Sequence, residues 1–154
     1  MGKLFVSETR TINADAAQVY AILADYRNHH PHILPASYFT GLEVLEGERG
    51  EGTLFRATLR VMGKETSFRM RVTEPEQGRV LAESDLDTDL VTTFTVVPQG
   101  NGHATVAIAT RWEGKPGLAG LLERLTTPAL LRRIYQEELR QLEEYAQTVP
   151  SSLR

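Results

Sequence analysis

The amino-acid sequence predicts an α+β fold in which an antiparallel sheet packs against one long C-terminal helix. Between residues 53 and 112, short runs alternate apolar with polar residues and are separated by turns that contain glycine. From 128 to 147 the apolar residues instead recur every three or four positions, as on one face of an amphipathic helix. Consecutive strands followed by a covering helix are typical of α+β domains.

Length and composition predict one domain without a membrane segment. With 154 residues and 41% hydrophobic content, the chain can bury a single core, which we place at 1–147 with a flexible tail at 148–154. The net charge of −3 gives no electrostatic reason to expect nucleic acid as a partner, and the absence of cysteine excludes disulfides and thiol nucleophiles. No apolar run is long enough for a signal peptide or a membrane span, so we expect a cytoplasmic monomer or homodimer without integral membrane association.

The first third of the chain predicts a strand, two short helices and a second strand. Leu4 to Ile12 is rich in β-branched and aromatic residues. Asp15 followed by Gln18 has the spacing of a capping box and opens a short amphipathic helix. His32 to Ala36 allows one more helical turn, and Phe39 to Gly47 reads as extended.

Two hairpins follow, and their register decides which side chains face the core. A turn at Gly63-Lys64 sets Leu59 opposite Phe68 and leaves one inward face. That face carries Phe55, Ala57, Leu59, Phe68, Met70 and Val72.

The next hairpin admits several registers. A three-residue loop at 76–78 places Arg71 opposite Glu83 and Arg69 opposite Asp85 on the solvent face. We prefer this register because it pairs opposite charges. It leaves Val80, Ala82, Ser84 and Leu86 inside.

The last hairpin and the terminal helix complete the predicted core. The inward residues of the hairpin are Thr92, Phe94, Val96, Val106, Ile108, Thr110 and Trp112. The helix is predicted in two parts, from Pro116 and from Pro128, with Thr127 as the N-cap of the second part. Its apolar stripe comprises Leu131, Ile134, Tyr135, Leu139, Leu142 and Tyr145.

Several of these stretches resemble a known superfamily. Ile12-Asn13-Ala14-Asp15 with Val19-Tyr20 and Leu23-Ala24-Asp25-Tyr26, then Val97-Pro98-Gln99-Gly100 running into Thr105-Val106, then the terminal helix, are similar to START-like (SRPBCC, Bet v 1-like) proteins of the polyketide cyclase/dehydrase type. The similarity extends from Leu4 to Tyr145. It implies a helix-grip fold, in which about seven strands wrap around the terminal helix and an apolar cavity between them holds lipids, quinones or polyketides.

The predicted function is therefore binding of a small hydrophobic ligand, with no cofactor. The expected ligand-binding residues are Tyr26, Phe55, Leu59, Phe68, Met70, Phe94, Ile108, Thr110, Trp112, Leu121, Leu125 and Tyr135. Apolar contacts would supply affinity, and hydroxyl groups such as that of Tyr135 would orient the ligand.

Two alternatives remain open. One is a cyclase or dehydratase enzyme in which Tyr26 or His30 acts as acid or base, with His29, His32 and Tyr38 as further candidates. Such an enzyme would be marked by a buried ionisable residue at an inward strand position, and the predicted inward positions contain none. The other is a co-chaperone-like, partner-binding module with a filled core.

No metal site is predicted. The histidines at 29, 30 and 32 lack a fourth ligand at suitable spacing. Asp85, Asp87 and Asp89 alternate as in a calcium loop, but the required glycine and the closing glutamate are missing.

Overall fold

A computed structural model describes residues 4–113 and 128–150. The elements in chain order are β1 (Leu4–Ile12), α1 (Ala16–Ala24), a 3₁₀ turn (His30–Ile33), β2 (Phe39–Glu46), β3 (Leu54–Val61), β4 (Lys64–Glu76), β5 (Val80–Asp85), β6 (Val91–Gly100), β7 (His103–Trp112) and α2 (Pro128–Thr148). The first part of the predicted terminal helix, with Leu121 and Leu125, and the predicted cap Thr127 lie outside the described residues.

The strands form one antiparallel sheet of seven, in the order β1-β7-β6-β5-β4-β3-β2. Helix α2 packs across the face of the sheet that we call the inner face, which carries Phe55 and Phe94. This is the predicted helix-grip architecture. No helix in the two described ranges is long and apolar enough to cross a membrane.

Helix α2 begins at Pro128 and buries the predicted apolar stripe. Its buried residues are Leu131, Ile134, Tyr135, Leu139, Leu142 and Ala146, whereas Tyr145 is half-buried. One acid shares this stripe: Glu138 is only 3% exposed. Helical spacing puts it four residues after Ile134 and four before Leu142, on the side that faces the sheet.

Helix α1 is present, but the predicted capping box is wrong. Asp15 makes no side-chain capping hydrogen bond. The Gln18 amide donates instead to the carbonyls of Ala146 at 3.2 Å and Val149 at 3.0 Å. Carbonyl groups at a helix C-terminus lack intrahelical partners, so Gln18 satisfies them and ties α1 to the end of α2. The short helical turn predicted at His32 to Ala36 also lies elsewhere, because the structure has a 3₁₀ turn at His30–Ile33.

The β3–β4 hairpin has the predicted faces in a different register. Val61 pairs with Lys64, so the turn is Met62-Gly63, and Phe68 lies opposite Ala57. Met62 and Gly63 have φ values of 53° and 79°, as a type I′ turn requires. The register differs from the predicted one by two residues, which preserves the inward face because side chains alternate with period two.

The predicted β4–β5 register is wrong by one residue, and this inverts β5. Val72 lies opposite Glu83, and Arg71 opposite Ser84. A register irregularity between Thr73 and Glu76 causes this one-residue shift. The alternation of apolar and polar residues in the sequence does not reveal such an irregularity. Of the residues expected inside, Leu86 is 44% exposed and Val80 and Ser84 are half-buried. The strand buries Leu81, Glu83 and Asp85 together with Ala82.

The β6–β7 hairpin confirms the predicted inward face. Phe94 lies opposite Ile108 and Thr92 opposite Thr110. Every predicted inward residue of these two strands is buried, from Thr92 at 8% exposure to Val96 and Val106 at 0%. The turn is Asn101-Gly102, in which both residues have positive φ.

Candidate functional site

An apolar pocket lies between the inner face of the sheet and α2. Its volume is about 120 Å³. An engineered apolar cavity of roughly 150 Å³ accepts benzene, so the space is close to that of one aromatic ring. The described lining residues are His30, Leu34, Phe39, Leu42, Phe55, Ala57, Leu59, Phe68, Met70, Glu83, Leu90, Thr92, Phe94, Ile108, Thr110, Leu131, Ile134, Tyr135 and Glu138.

Most of the residues predicted to contact a ligand line this pocket. They are Phe55, Leu59, Phe68, Met70, Phe94, Ile108, Thr110 and Tyr135. Tyr26 and Trp112 are buried, but neither is among the described lining residues. Tyr26 lies behind the wall instead, where its ring stacks on Phe55 at a centroid distance of 4.8 Å.

Glu83 is a polar lining residue that the sequence did not predict, and Tyr26 holds it. The Tyr26 hydroxyl donates to Glu83 Oε2 at 2.6 Å. Burial raises the pKa of the Glu83 carboxyl to about 7, although this hydrogen bond lowers it in part. The pKa of the Tyr26 hydroxyl lies well above its ordinary value because of burial and the adjacent carboxylate. Glu83 can therefore accept or release a proton near neutral pH while Tyr26 remains protonated.

The loop between β2 and β3 fixes the position of Tyr26. The Tyr26 backbone amide donates to the Glu48 carbonyl at 3.1 Å, and the Gly50 amide donates to the Ala24 carbonyl at 2.9 Å. Arg49 also binds the buried Asp25 carboxylate at 3.0 Å. Gly50 has a φ of 60°, which favours glycine, and a Cβ there would lie 2.5 Å from Glu74 Oε1, so the Glu74 side chain would have to move.

His30 is buried in the pocket wall and is neutral. Its Nδ1 lies 2.7 Å from the Leu23 carbonyl oxygen. A carbonyl only accepts, so Nδ1 carries the proton and Nε2 has the lone pair. Burial lowers the His30 pKa to about 4, while the bond to Leu23 acts in the opposite direction. His30 Nε2 lies 3.8 Å from Glu83 Oε2. The two do not form an ion pair, because His30 loses its charge well below the pH at which Glu83 gains one.

Glu138 is the second buried acid of the pocket. Burial raises its pKa well above the ordinary value, and repulsion from Glu83 raises it further. No hydrogen bond joins its carboxyl group to another residue within 4–113 or 128–150. The two acids thus lie near enough for their charges to interact, one on β5 and one on α2.

A chain of hydroxyl groups extends along the same wall. The hydroxyls of Thr92 and Thr110 lie 2.7 Å apart, and Thr110 is also hydrogen-bonded to the Tyr135 hydroxyl. These side chains come from β6, β7 and α2. The pocket therefore combines apolar walls with one polar side.

The remaining predicted catalytic candidates lie elsewhere. His29 Nδ1 is 2.6 Å from the Tyr145 hydroxyl, and the His32 ring stacks on Tyr145 with centroids 4.9 Å apart. Neither these histidines nor Tyr38 are among the described lining residues.

Among the described residues, no three or more His, Cys, Asp or Glu side chains are grouped so that they could hold a metal ion. Asp85, part of the calcium-like pattern, accepts a hydrogen bond from the Thr88 hydroxyl at 2.6 Å. Arg69 pairs with Asp87 at 3.3 Å and not with Asp85. The Asp85 carboxylate therefore stabilises the β5–β6 connection.

Glu83 and Glu138 were not predicted as site residues, although the sequence contains a signal for each. Glu138 occupies a position of the apolar stripe by its spacing alone. Glu83 alternates with Leu81, the largest apolar residue of its strand, so placing Leu81 inside would have placed Glu83 there too. The charge pairing with Arg71 was the misleading criterion, since Arg71 pairs with Glu46 at 3.0 Å.

Comparisons with known proteins agree with this architecture. The KanY protein, solved by NMR, is 33% identical with a TM-score of 0.80, over 96% of this chain and 99% of that one. The Zhui aromatase/cyclase from Streptomyces sp. R1128 is 20% identical with a TM-score of 0.75, over 95% and 94% of the two chains. A START superfamily protein from Mycobacterium smegmatis is 18% identical with a TM-score of 0.70, over 97% and 100%.

No curated protein sequence matches the chain significantly. The family model for polyketide cyclase / dehydrase and lipid transport proteins matches residues 4–147, which is nearly the whole chain. Its extent coincides with the helix-grip architecture, from β1 to the last turn of α2. The chain belongs to the polyketide cyclase / dehydrase and lipid transport family.

Proposed function

We propose that this protein binds a small, largely apolar molecule in the pocket between the sheet and α2. The observation that carries the proposal is the pocket itself, which is walled by apolar side chains of β2, β3, β4, β6, β7 and α2. Interior space of this kind is uncommon in a close-packed core and is the usual form of a small-molecule site. A filled-core, partner-binding module would not need it.

The size and polarity of the pocket constrain the ligand. A volume of about 120 Å³ takes up roughly one ring, so a larger molecule must extend beyond the pocket or displace side chains. The polar groups of Glu83, Glu138 and Tyr135 lie within the apolar lining and would fix the orientation of the ligand. The ligand is therefore expected to carry a ring and at least one hydrogen-bonding group.

Ligand binding is expected to be lost when the pocket is filled. Ala57 lines the pocket, and Ala57→Phe adds about one ring of volume there. We expect single-ring compounds such as toluene, phenol and acetophenone to shift the NMR signals of the Ile108, Ile134 and Met70 methyl groups in the wild type and not in this variant. Ala109→Phe is the matched control, because Ala109 is the neighbour of Ile108 on the outward side of β7. Absence of any such shift in the wild type with the whole panel would refute the binding function.

Acid–base catalysis is a second candidate, and Glu83 favours it. A carboxyl group with a pKa of about 7 that faces a pocket can protonate a carbonyl oxygen or remove a neighbouring proton at neutral pH. Tyr26 would be a positioning residue, since it contacts Glu83 from behind the wall. The buried ionisable group that was expected to mark a cyclase or dehydratase is thus present on β5.

A catalytic role for Glu83 predicts a specific pH profile. The dehydration of an aromatic β-hydroxy ketone should show a pH–rate inflection near the Glu83 pKa of about 7. Glu83→Gln should lower the rate by about 100-fold or more. Tyr26→Phe should move the inflection to higher pH, because it removes a bond that lowers the Glu83 pKa, whereas Tyr38→Phe should change neither quantity. Turnover that persists in Glu83→Gln would remove this candidate.

A further inference from the structure

Resting on the proposed binding function, we infer that the ligand is a cation, a protonated amine attached to a small ring, whose ammonium group lies between the carboxyl groups of Glu83 and Glu138. Neither the family nor the fold specifies the charge of a ligand. The charged groups among the described lining residues indicate the charge of the ligand.

The described lining residues contain two carboxyl groups and no lysine or arginine. The imidazole of His30 is neutral and uses its one N–H on the Leu23 carbonyl. A carboxylate or phosphate entering this pocket would therefore meet two acids and, among the described lining residues, no cationic side chain at low dielectric. Anionic ligands such as fatty acids are disfavoured by this arrangement.

Glu138 points to a missing positive partner. Glu138 is only 3% exposed and lines the pocket, and none of the described residues forms a hydrogen bond with its carboxyl group. Buried acids in folded proteins are normally paired with a base or hydrogen-bonded, because an unpartnered buried carboxylate is costly. The partner of Glu138 is consequently expected to come from the pocket side.

An ammonium group satisfies this arrangement more completely than a neutral carbonyl does. It has three N–H donors, which match the Glu138 carboxylate, the Glu83 oxygen that Tyr26 leaves free, and the hydroxyl groups on the same polar side of the pocket. Its charge also removes the repulsion between Glu83 and Glu138, which a carbonyl acceptor would leave in place. The rings of Phe55 and Phe94 line the same pocket and provide apolar surface for the ring of such a ligand.

The pH dependence of binding follows from the titratable groups that face the pair. Among the described residues, these groups are Tyr26, His30 and Tyr135, in addition to Glu83 and Glu138 themselves. The pKa values of both tyrosines are raised by burial, and that of His30 is lowered to about 4. Between about pH 5 and about pH 9, His30 and the two tyrosines keep their charge states, whereas Glu83 loses its proton. Amine affinity should therefore increase as pH rises through about 7, and binding should release protons.

The test uses three ligands of one shape: benzylamine, benzyl alcohol and benzoate. We expect calorimetry at about pH 8 to show benzylamine binding about tenfold more tightly than benzyl alcohol, with no detectable binding of benzoate. Glu138→Gln should weaken benzylamine binding about tenfold and change benzyl alcohol binding by less than about twofold. The matched control is Glu137→Gln, because Glu137 is the residue before Glu138 on α2 and pairs with Arg140 outside the pocket. It should change neither affinity.

The outcomes separate the two proposals. Benzyl alcohol that binds as tightly as benzylamine, in wild-type protein and at both ends of the pH range, overturns the cation inference and leaves the binding function intact. Equal benzylamine affinity in wild type and Glu138→Gln also overturns it. Failure of all three ligands to bind overturns the binding function itself. Retained benzyl alcohol binding shows that the Glu138→Gln pocket is folded, and the pH dependence of the wild type tests the inference without any variant.

Discussion

The free energy of unfolding is expected to decrease as pH rises from about 5 to about 8. Burial raises the pKa of Glu83 from 4.5 to about 7, and that of Glu138 is raised as well. In this interval the folded protein holds protons that the unfolded chain releases, so stability present below about pH 4.5 is lost as pH passes the folded-state pKa values. The shift of Glu83 alone corresponds to about 3 kcal/mol. Urea unfolding followed by circular dichroism at several pH values measures the effect.

His30 acts in the opposite direction and supplies the control. Its pKa is lowered from 6.5 to about 4, so its contribution is present above 6.5 and is lost as pH falls through 4. Between about pH 4.5 and 6.5 it offsets one of the two acids, and the other still makes stability fall with rising pH. In the Glu83→Gln/Glu138→Gln variant only His30 remains, and stability should instead rise with pH there. Glu48→Gln, at an exposed acid, should keep the wild-type slope. A wild-type profile that rises between pH 5 and 8 would contradict the assignment of both acids.

Side-chain periodicity was sufficient for the elements and for most of the inner face. Phe55 and Met70 remain inside even though their hairpin is shifted by two residues, because alternation is unaffected by an even shift. The β6–β7 residues and the apolar stripe of α2 were identified for the same reason. A pattern read over many residues tolerates local errors in turn position.

The site depended on two details that periodicity does not contain. A one-residue shift at the irregularity between Thr73 and Glu76 turned Glu83 inward. The preferred register rested on exposed charge pairs, which contribute about 0.2–1 kcal/mol each, less than the burial of a leucine such as Leu81 at about 1.5–3 kcal/mol. The second detail is a tertiary contact. The local sequence does not predict that the loop at 28–33 places His30 in the pocket wall, where it is 2% exposed. Function-bearing polar groups at core positions are where pattern rules are expected to fail.

Glu138→Leu is expected to make the empty protein more stable, by about 1–3 kcal/mol at about pH 8. The wild-type carboxyl group is buried without a partner among the described residues, and leucine would continue the stripe formed by Leu131, Ile134 and Leu142. Because burial raises the pKa of Glu138, its destabilising effect grows with pH, so the gain should be smaller at about pH 5 than at about pH 8. Unfolding curves at both pH values test the cause. Glu138→Gln, which removes the charge and keeps a polar group in the core, should gain less than Glu138→Leu. A loss of stability in Glu138→Leu at about pH 8 would mean that this acid has a structural role in the folded protein. A gain that is accompanied by loss of benzylamine binding is the result expected of a residue that lowers the stability of the fold in order to hold a cationic guest.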